Sequence, residues 1–447
     1  MATEHEFLTR TAERCHDPYL RCALYGAAQA VLGISGCCVL AHAPQGCNML
    51  VNSAFGWQDA DYTETLTLCT KLCEDEIVHG GEELLTRTIL EAREFSIPIM
   101  FILSACGPEI VGDDITAVCE EVQSQVDFKL VPIQCAGFRG SQYDGTDIAL
   151  EVLLKNLVTD TGQKIANSVC LIAPHANANP TWVGDLRWVQ DVLAQMGVQV
   201  TATITHGTAL SDFEKISASE ASILLSFDCG QKAVDYLSTE FGIEQVCKDI
   251  PLPVGFGNTR RWLSELAEHF GAGEVADRLI TEGEKMVVEV CRRKGLEQFF
   301  MHRAPSAIVT DATIGIPLVR FISEDLEMLP ELICLRSSQE KSKEILEKEL
   351  KELSLNPRVI YGADVYQSST ALAESRPEAV FGSNIEKHGI EELDIPFIFL
   401  IASPTMRFRM IDREYFGYTG MLNLIEFIQN DWRERYRSRQ RRYQARW

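Results

Sequence analysis

Short apolar or β-branched runs alternate along the chain with longer stretches whose apolar residues recur at helical spacing. That rhythm belongs to repeated βα units built around parallel sheets. Strands are predicted at 97–105, 128–134, 168–174, 198–204, 221–227, 306–312, 331–336, 358–364 and 395–402, and helices at 182–196, 231–240 and 337–354. Several strands run straight into Cys, Gly, Pro or Asp, and ligands of open α/β sheets sit at strand carboxyl ends. Polar stretches near 160–167 and 293–305 interrupt the rhythm. They divide the chain into domains 1–163, 164–298 and 299–430, with an extension at 431–447. The very charged 337–354 helix reads as a solvated face.

Composition narrows the function classes. The 447 residues exceed one ordinary core, since domains run to roughly 100–200 residues. With 46% hydrophobic and 23% charged residues the chain is globular rather than disordered. Lys+Arg 41 against Asp+Glu 64 leaves a net charge of −23, which repels phosphate backbones and anionic membranes and argues against both as main partners. The first residues alternate charges where a signal peptide needs an apolar stretch, and apolar runs such as 395–402 are too short to span a bilayer. A cytoplasmic protein is expected.

In that compartment thiols stay reduced, so the 15 cysteines are not a disulfide framework. Ten of them precede residue 136. Three stand among small, turn-forming residues: Cys22 in RCALYGAAQAV, Cys47 in HAPQGCNML and Cys106 in LSACGPEIVGDD. Such loops let backbone N–H groups approach sulfur closely and place thiols at helix starts, where thiolates are stabilised. Soft thiolates select iron–sulfur, zinc or copper(I) chemistry. The gaps between the three, 25 and 59 residues, are too long for the tight pairs of a zinc ribbon. A cubane takes four thiolates, so a fourth must come from elsewhere in the chain or from another subunit.

The motifs HxxxGC at 42–47, EDxxxHGG at 74–81 and CxxEIVGDD at 106–114, then VPIQCAGFRG (131–140) and FGYTGMLNLIEFI (416–428), resemble the nitrogenase component 1 superfamily over nearly the whole chain. The resemblance implies an α/β fold of three Rossmann-like domains with parallel sheets. It implies that Cys22, Cys47 and Cys106 are one half of the ligand set of an eight-iron P-type iron–sulfur cluster shared with a partner subunit. It further implies an alpha-like partner in an α2β2 assembly, an iron–sulfur active-site cofactor held by that partner, and an ATP-hydrolysing iron protein as electron donor.

CGPEIVGDDI and GYTGMLNLIEFI resemble the beta-type subunit, whereas CAGFRG at 135–140 resembles an alpha-type segment. Alpha-type subunits hold their cofactor through a second-domain cysteine and a late histidine. Cys229, in SFDCGQ, is similar in position to that cysteine and is a further metal-ligand candidate, but Ile411 and Asp412 fall where the histidine would stand. The beta-type reading is therefore preferred. His42 and His79 are candidates for hydrogen bonding around the cluster or for ordinary turn bonds, and Asp113 and Asp114 for helix caps. The tail 431–447 carries seven arginines against two acids, with Trp432, Tyr436, Tyr443 and Trp447 between them, and reads as a helical clamp on an acidic partner.

The expected function is electron relay in a two-component, nitrogenase-like reductase. Ala43 in HAPQGC, the CAGFRG segment and the 447-residue length depart from dinitrogen-reducing members and favour the methylthio-alkane reductases, which cleave carbon–sulfur bonds. The alternatives are the beta subunit of an alternative nitrogenase, reducing dinitrogen, a cofactor-assembly scaffold subunit, or a non-enzymatic Rossmann-type binding protein whose cysteines are merely buried.

Overall fold

The computed structural model describes residues 20–56, 65–174, 181–295, 303–383, 385–387, 397–401 and 411–440. Three wholly parallel sheets with flanking helices form an α/β protein. The first contains β1 (Cys38–His42), β2 (Leu66–Cys69), β3 (Ile99–Ser104) and β4 (Lys129–Gln134) in the order β2-β1-β3-β4. The second contains β5 (Ile165–Ile172), β6 (Gln199–Ile204), β7 (Ser219–Leu224) and β8 (Glu244–Val246) in the order β6-β5-β7-β8. The third has five strands, β9 (Pro305–Thr310), β10 (Leu329–Leu335), β11 (Arg358–Tyr361), β12 (Ala379–Ser383) and β13 (Phe397–Ile401), ordered β11-β10-β9-β12-β13.

In each sheet the chain first winds one way from its opening strand and then crosses back to wind the other. The reversals fall between β1 and β3, β5 and β7, and β9 and β12, and a crevice opens at the carboxyl end of such a switch point.

Each sheet lies within one of the three expected segments, while the chain packs as two compact units. One comprises Leu20–Asn177 and Gln199–Val246, so it holds the first two sheets. A continuous apolar core joins them, with Phe101, Leu103 and Ile133 from the first sheet and Ile172, Ile204 and Leu224 from the second. The other unit includes Ala178–Val198 and Cys247–Trp447 and holds the third sheet. Among the described residues no helix is long and apolar enough to cross a membrane.

All nine predicted strands are present, and the three predicted helices appear as Trp182–Gln195, Gln231–Phe241 and Glu340–Glu352. Four strands were not legible. β1 is fully buried but has only five residues and one β-branched side chain; β2 and β8 have four and three residues, and β12 contains a glycine. Hydrogen bonding to neighbours, not local propensity, makes these segments strands. The charged helix Glu340–Glu352 also departs from a purely solvated face. Its Glu349 is buried and accepts from Arg261 at 2.5 Å and Arg320 at 2.9 Å. The basic extension begins inside the helix Gly417–Gln440, and residues 441–447 lie outside the described residues.

Candidate metal centre at the edge of the first sheet

Strand ends place the cysteines. β1 is apolar and buried along its length, as a central parallel strand must be. It stops at Ala43–Pro44, and Pro44 O accepts from the N–H groups of Cys47 (3.1 Å) and Asn48 (3.2 Å) to open the helix Gln45–Gly56. β3, equally buried, pairs Ser104 with His42 of β1 and gives way at Ala105 to the helix Cys106–Val111. Cys47 and Cys106 therefore flank the switch point of the first sheet.

Cys22 arrives from outside that sheet. It is the N-cap of the helix Ala23–Leu32, whose ten residues are all buried. The helix Gln142–Leu157 packs against it backbone to backbone. A Cβ on Gly26 would stand 1.8 Å from Gln142 O, and one on Gly145 would stand 1.9 Å from Ala23 O. Only glycines permit that approach. The same contact pins the Cys22 loop, because Ala23 N–H donates to Gly140 O at 2.9 Å and Gln142 N–H to Arg21 O at 2.8 Å.

The three thiols converge. All are partly exposed, and all stand in or at the first turn of a helix. Gly137, in the turn after β4, is wedged between two of them: a Cβ there would lie 3.0 Å from Cys106 Sγ and 3.3 Å from Cys22 Cβ. Its N–H donates to Cys106 Sγ at 3.1 Å. Burial pushes the Cys47 thiol up, and the neighbouring Cys106, Cys22 and Cys69 push it the same way. Cys69, at the end of β2, is a further thiol of this edge, and nothing in its sequence context distinguishes it. Its Sγ donates to Ala43 O at 3.4 Å and accepts from Lys71 N–H at 3.3 Å. Among the described residues no group of three or more His, Cys, Asp or Glu side chains is arranged to hold one metal ion.

Three motifs spaced along the sequence meet in one knot beside the thiols. His42 Nε2 bonds Asp113 Oδ2 at 2.9 Å, both side chains being buried, and the same carboxylate accepts from Gly81 N–H at 2.9 and 3.0 Å. Burial lowers the His42 imidazole more than Asp113 and Glu82 raise it. A side chain at Gly81 would strike Leu72, Asp113 and His42. Asp114 caps the helix Ile115–Val122 by accepting from Thr116 and Ala117 N–H, as expected, but Asp113 does not cap it. His79 is exposed, in the last turn of the helix Glu74–His79.

Cys229 is not brought to this edge. It is 6% exposed, at the carboxyl end of β7 in the second sheet, where Ser226 Oγ accepts from Asp228 and Cys229 N–H. The next residue, Gly230, has φ +94° and donates to Asp147 at 2.6 Å.

Residues 22–433 match the family model of the nitrogenase component 1 type oxidoreductases. A nitrogenase molybdenum-iron protein beta chain of Methanococcus maripaludis is 24% identical over 97% of this chain and 98% of its own. A nitrogenase vanadium-iron protein beta chain of Trichormus variabilis is 24% identical, covering 93% of each chain. One chain of the light-independent protochlorophyllide reductase of Roseiflexus sp. is 25% identical, covering 87% of this chain and 70% of its own. In fold, the solved structure of nitrogenase Cp1 at pH 6.5 superposes with a TM-score of 0.81 at 18% identity, over 94% of each chain. The chain belongs to the nitrogenase component 1 type oxidoreductases, as a beta-like member of that family.

Proposed function

We propose that this chain is the beta-like electron-relay subunit of a two-component reductase, with Cys22, Cys47 and Cys106 holding its half of an eight-iron P-type cluster. The observation that carries the reading is that three partly exposed thiols from three separate loops come together, Cys22 and Cys106 on either side of the Gly137 backbone and Cys47 within electrostatic reach of both. The donor set fits such a group. The thiols are soft and sit at helix N-termini, a donor set that suits an iron–sulfur cage completed from a second subunit. An iron–sulfur cluster seated there supplies one-electron transfer at a potential set by burial and hydrogen bonding.

The chain's own residues do the rest. The thiols bind, Gly137 N–H donates to sulfur, and the His42–Asp113–Gly81 knot holds the loops that present the ligands. Around the thiols Met49, Val78, Ile110 and Phe138 are more than half exposed, with Ile77 and Val111 beside them. An apolar rim of this kind marks a protein interface. We place the alpha-like partner of an α2β2 assembly here, with the active-site iron–sulfur cofactor on its side and an ATP-hydrolysing iron protein as donor. Cys229, folded into its own buried loop, we place outside the ligand set. The domain division 1–163, 164–298 and 299–430 belongs to the same reading.

Relatives with unlike names, a nitrogenase chain and a protochlorophyllide reductase chain, support a substrate set by the partner's pocket rather than by family membership. Ala43 and the CAGFRG segment favour carbon–sulfur bond reduction of methylthio-alkanes; the expected support from chain length falls away, because the match covers 97% of this chain and 98% of a nitrogenase beta chain. The full-length similarity to a nitrogenase beta chain favours dinitrogen as the second reading.

The test is to purify the chain with its partner and measure iron. A brown, oxygen-sensitive complex that loses cluster iron when Cys22, Cys47 or Cys106 is changed to Ala is expected; a colourless monomer overturns the proposal. With iron protein and ATP, two electrons and two protons should convert a methylthio-ethanol to methanethiol, ethylene and water, and dimethyl sulfide to methanethiol and methane. Ammonia from dinitrogen without methanethiol would select the second reading. A cluster-bearing complex that turns over no substrate would select a scaffold.

A further inference from the structure

Glu109 has no part in the ligand set, yet its side chain is tied to both halves of the thiol edge. It lies one turn past Cys106 on the short helix Cys106–Val111, only 7% exposed. One carboxylate oxygen accepts from the hydroxyl of Ser104, the last residue of β3, and from Ala136 N–H at 3.1 Å. The other accepts from Arg139 Nε at 2.7 Å. Ala136 and Arg139 bracket Gly137, whose N–H points at Cys106 Sγ. The carboxylate thus clamps the turn after β4 onto the helix that carries the cysteine. Among the described residues nothing else between 136 and 139 bonds to that helix apart from the N–H–sulfur bond itself.

Building on the cluster assignment above, we propose that Glu109 is a positioning residue that sets the reduction potential of the centre by holding Gly137 N–H on Cys106 Sγ. An N–H donor withdraws charge from a metal-bound sulfur, favours the electron-rich state and raises the potential. Without the carboxylate the 136–139 turn loses its contacts through Ala136 and Arg139, and an N–H–sulfur bond alone does not hold a loop whose Phe138 is already exposed. The buried carboxylate also carries negative charge near the site, which acts in the opposite direction, so one substitution alone does not separate positioning from charge.

An isosteric and a truncating variant together do. Glu109→Gln and Glu109→Ala remove the same charge, but the Gln amide oxygen still accepts from Ser104 and Ala136. Both are made in the complex with its partner, with iron content measured and the midpoint potential followed by electron paramagnetic resonance. The expected result is that Glu109→Ala binds its electron about tenfold more weakly than Glu109→Gln, a difference of about 59 mV for one electron. Loss of iron from Glu109→Ala with iron retained in Glu109→Gln supports the same assignment. Equal potentials in the two variants, or equal loss of iron from both, overturn it. A wild-type complex without cluster iron would instead defeat the functional reading on which the assignment rests.

Discussion

The first and third sheets use the same parallel architecture and the same reversal of winding, yet their switch points are finished in opposite ways. At the first, strand ends lead into half-exposed thiols, N–H groups aimed at sulfur and an uncovered apolar rim. At the third, Arg336 follows β10 and meets Glu386 at 2.5 Å, both fully buried, while Ser383 at the end of β12 gives its N–H to the same carboxylate at 2.8 Å. One edge is left half-exposed and apolar; the other is buried and closed by an ion pair. The difference teaches that a doubly wound sheet provides the crevice, while the residues just past the strand ends decide between a site and a structural knot.

Breaking the backbone contact that brings Cys22 to the first edge should have the largest effect. Overpacking ordinarily costs about 1–3 kcal/mol, but a Cβ at Gly145 meets backbone rather than a yielding side chain. Gly145→Ala should therefore lose at least about 4 kcal/mol in denaturant unfolding, and cluster iron with it. Next comes the closed edge. Arg336→Ala strands a buried carboxylate and should cost about 3–5 kcal/mol, whereas replacing Arg336 and Glu386 together by Met and Leu should recover most of the loss. Iron content should stay unchanged in the double variant, because this knot serves the fold alone.

A smaller effect, of opposite sign, is expected at Asp185. This fully buried carboxyl accepts from Tyr415 and Phe416 N–H through one oxygen and from Thr181 through the other, and burial pushes it up from 3.8 to about 7. Between those values the folded state keeps a proton that the unfolded chain has released, so stability falls as pH rises from about 4 to about 7. Asp185→Asn keeps an acceptor for both N–H groups and has no charge to bury. It should flatten that slope and gain roughly 2–3 kcal/mol at neutral pH, read from thermal melts across pH. The smallest effect sharpens the comparison from the second sheet. Cys229→Ala should cost about 1 kcal/mol and leave iron content unchanged; loss of iron would place a ligand at a second switch point.

The α/β class and nine of the strands were legible because those strands are written as apolar or β-branched runs and their helices as 3.6-residue periodicity. The central strand β1, which delivers Cys47, was not, because five residues opening on Cys38 behind Cys37 carry too little pattern. The thiol trio could be named from its loop context, yet its supports could not. Glu109 looks in the sequence like part of a motif, Gly137 like one small residue in a turn, and Asp113 like a cap. Their roles depend on β3 and β4 standing side by side and on loops far apart in sequence arriving at the same edge.

Sequence by itself determined which groups are present: soft sulfur donors in glycine-rich turns, a net charge that turns away polyanions, and apolar runs enough for three sheets. Tertiary structure decided which of the described cysteines face one another, because convergence depends on strand order and on two helices touching where neither has a side chain. Chemistry of this kind is local to the residue, but geometry is a property of the long-range contacts, and no spacing along the chain encodes those contacts directly.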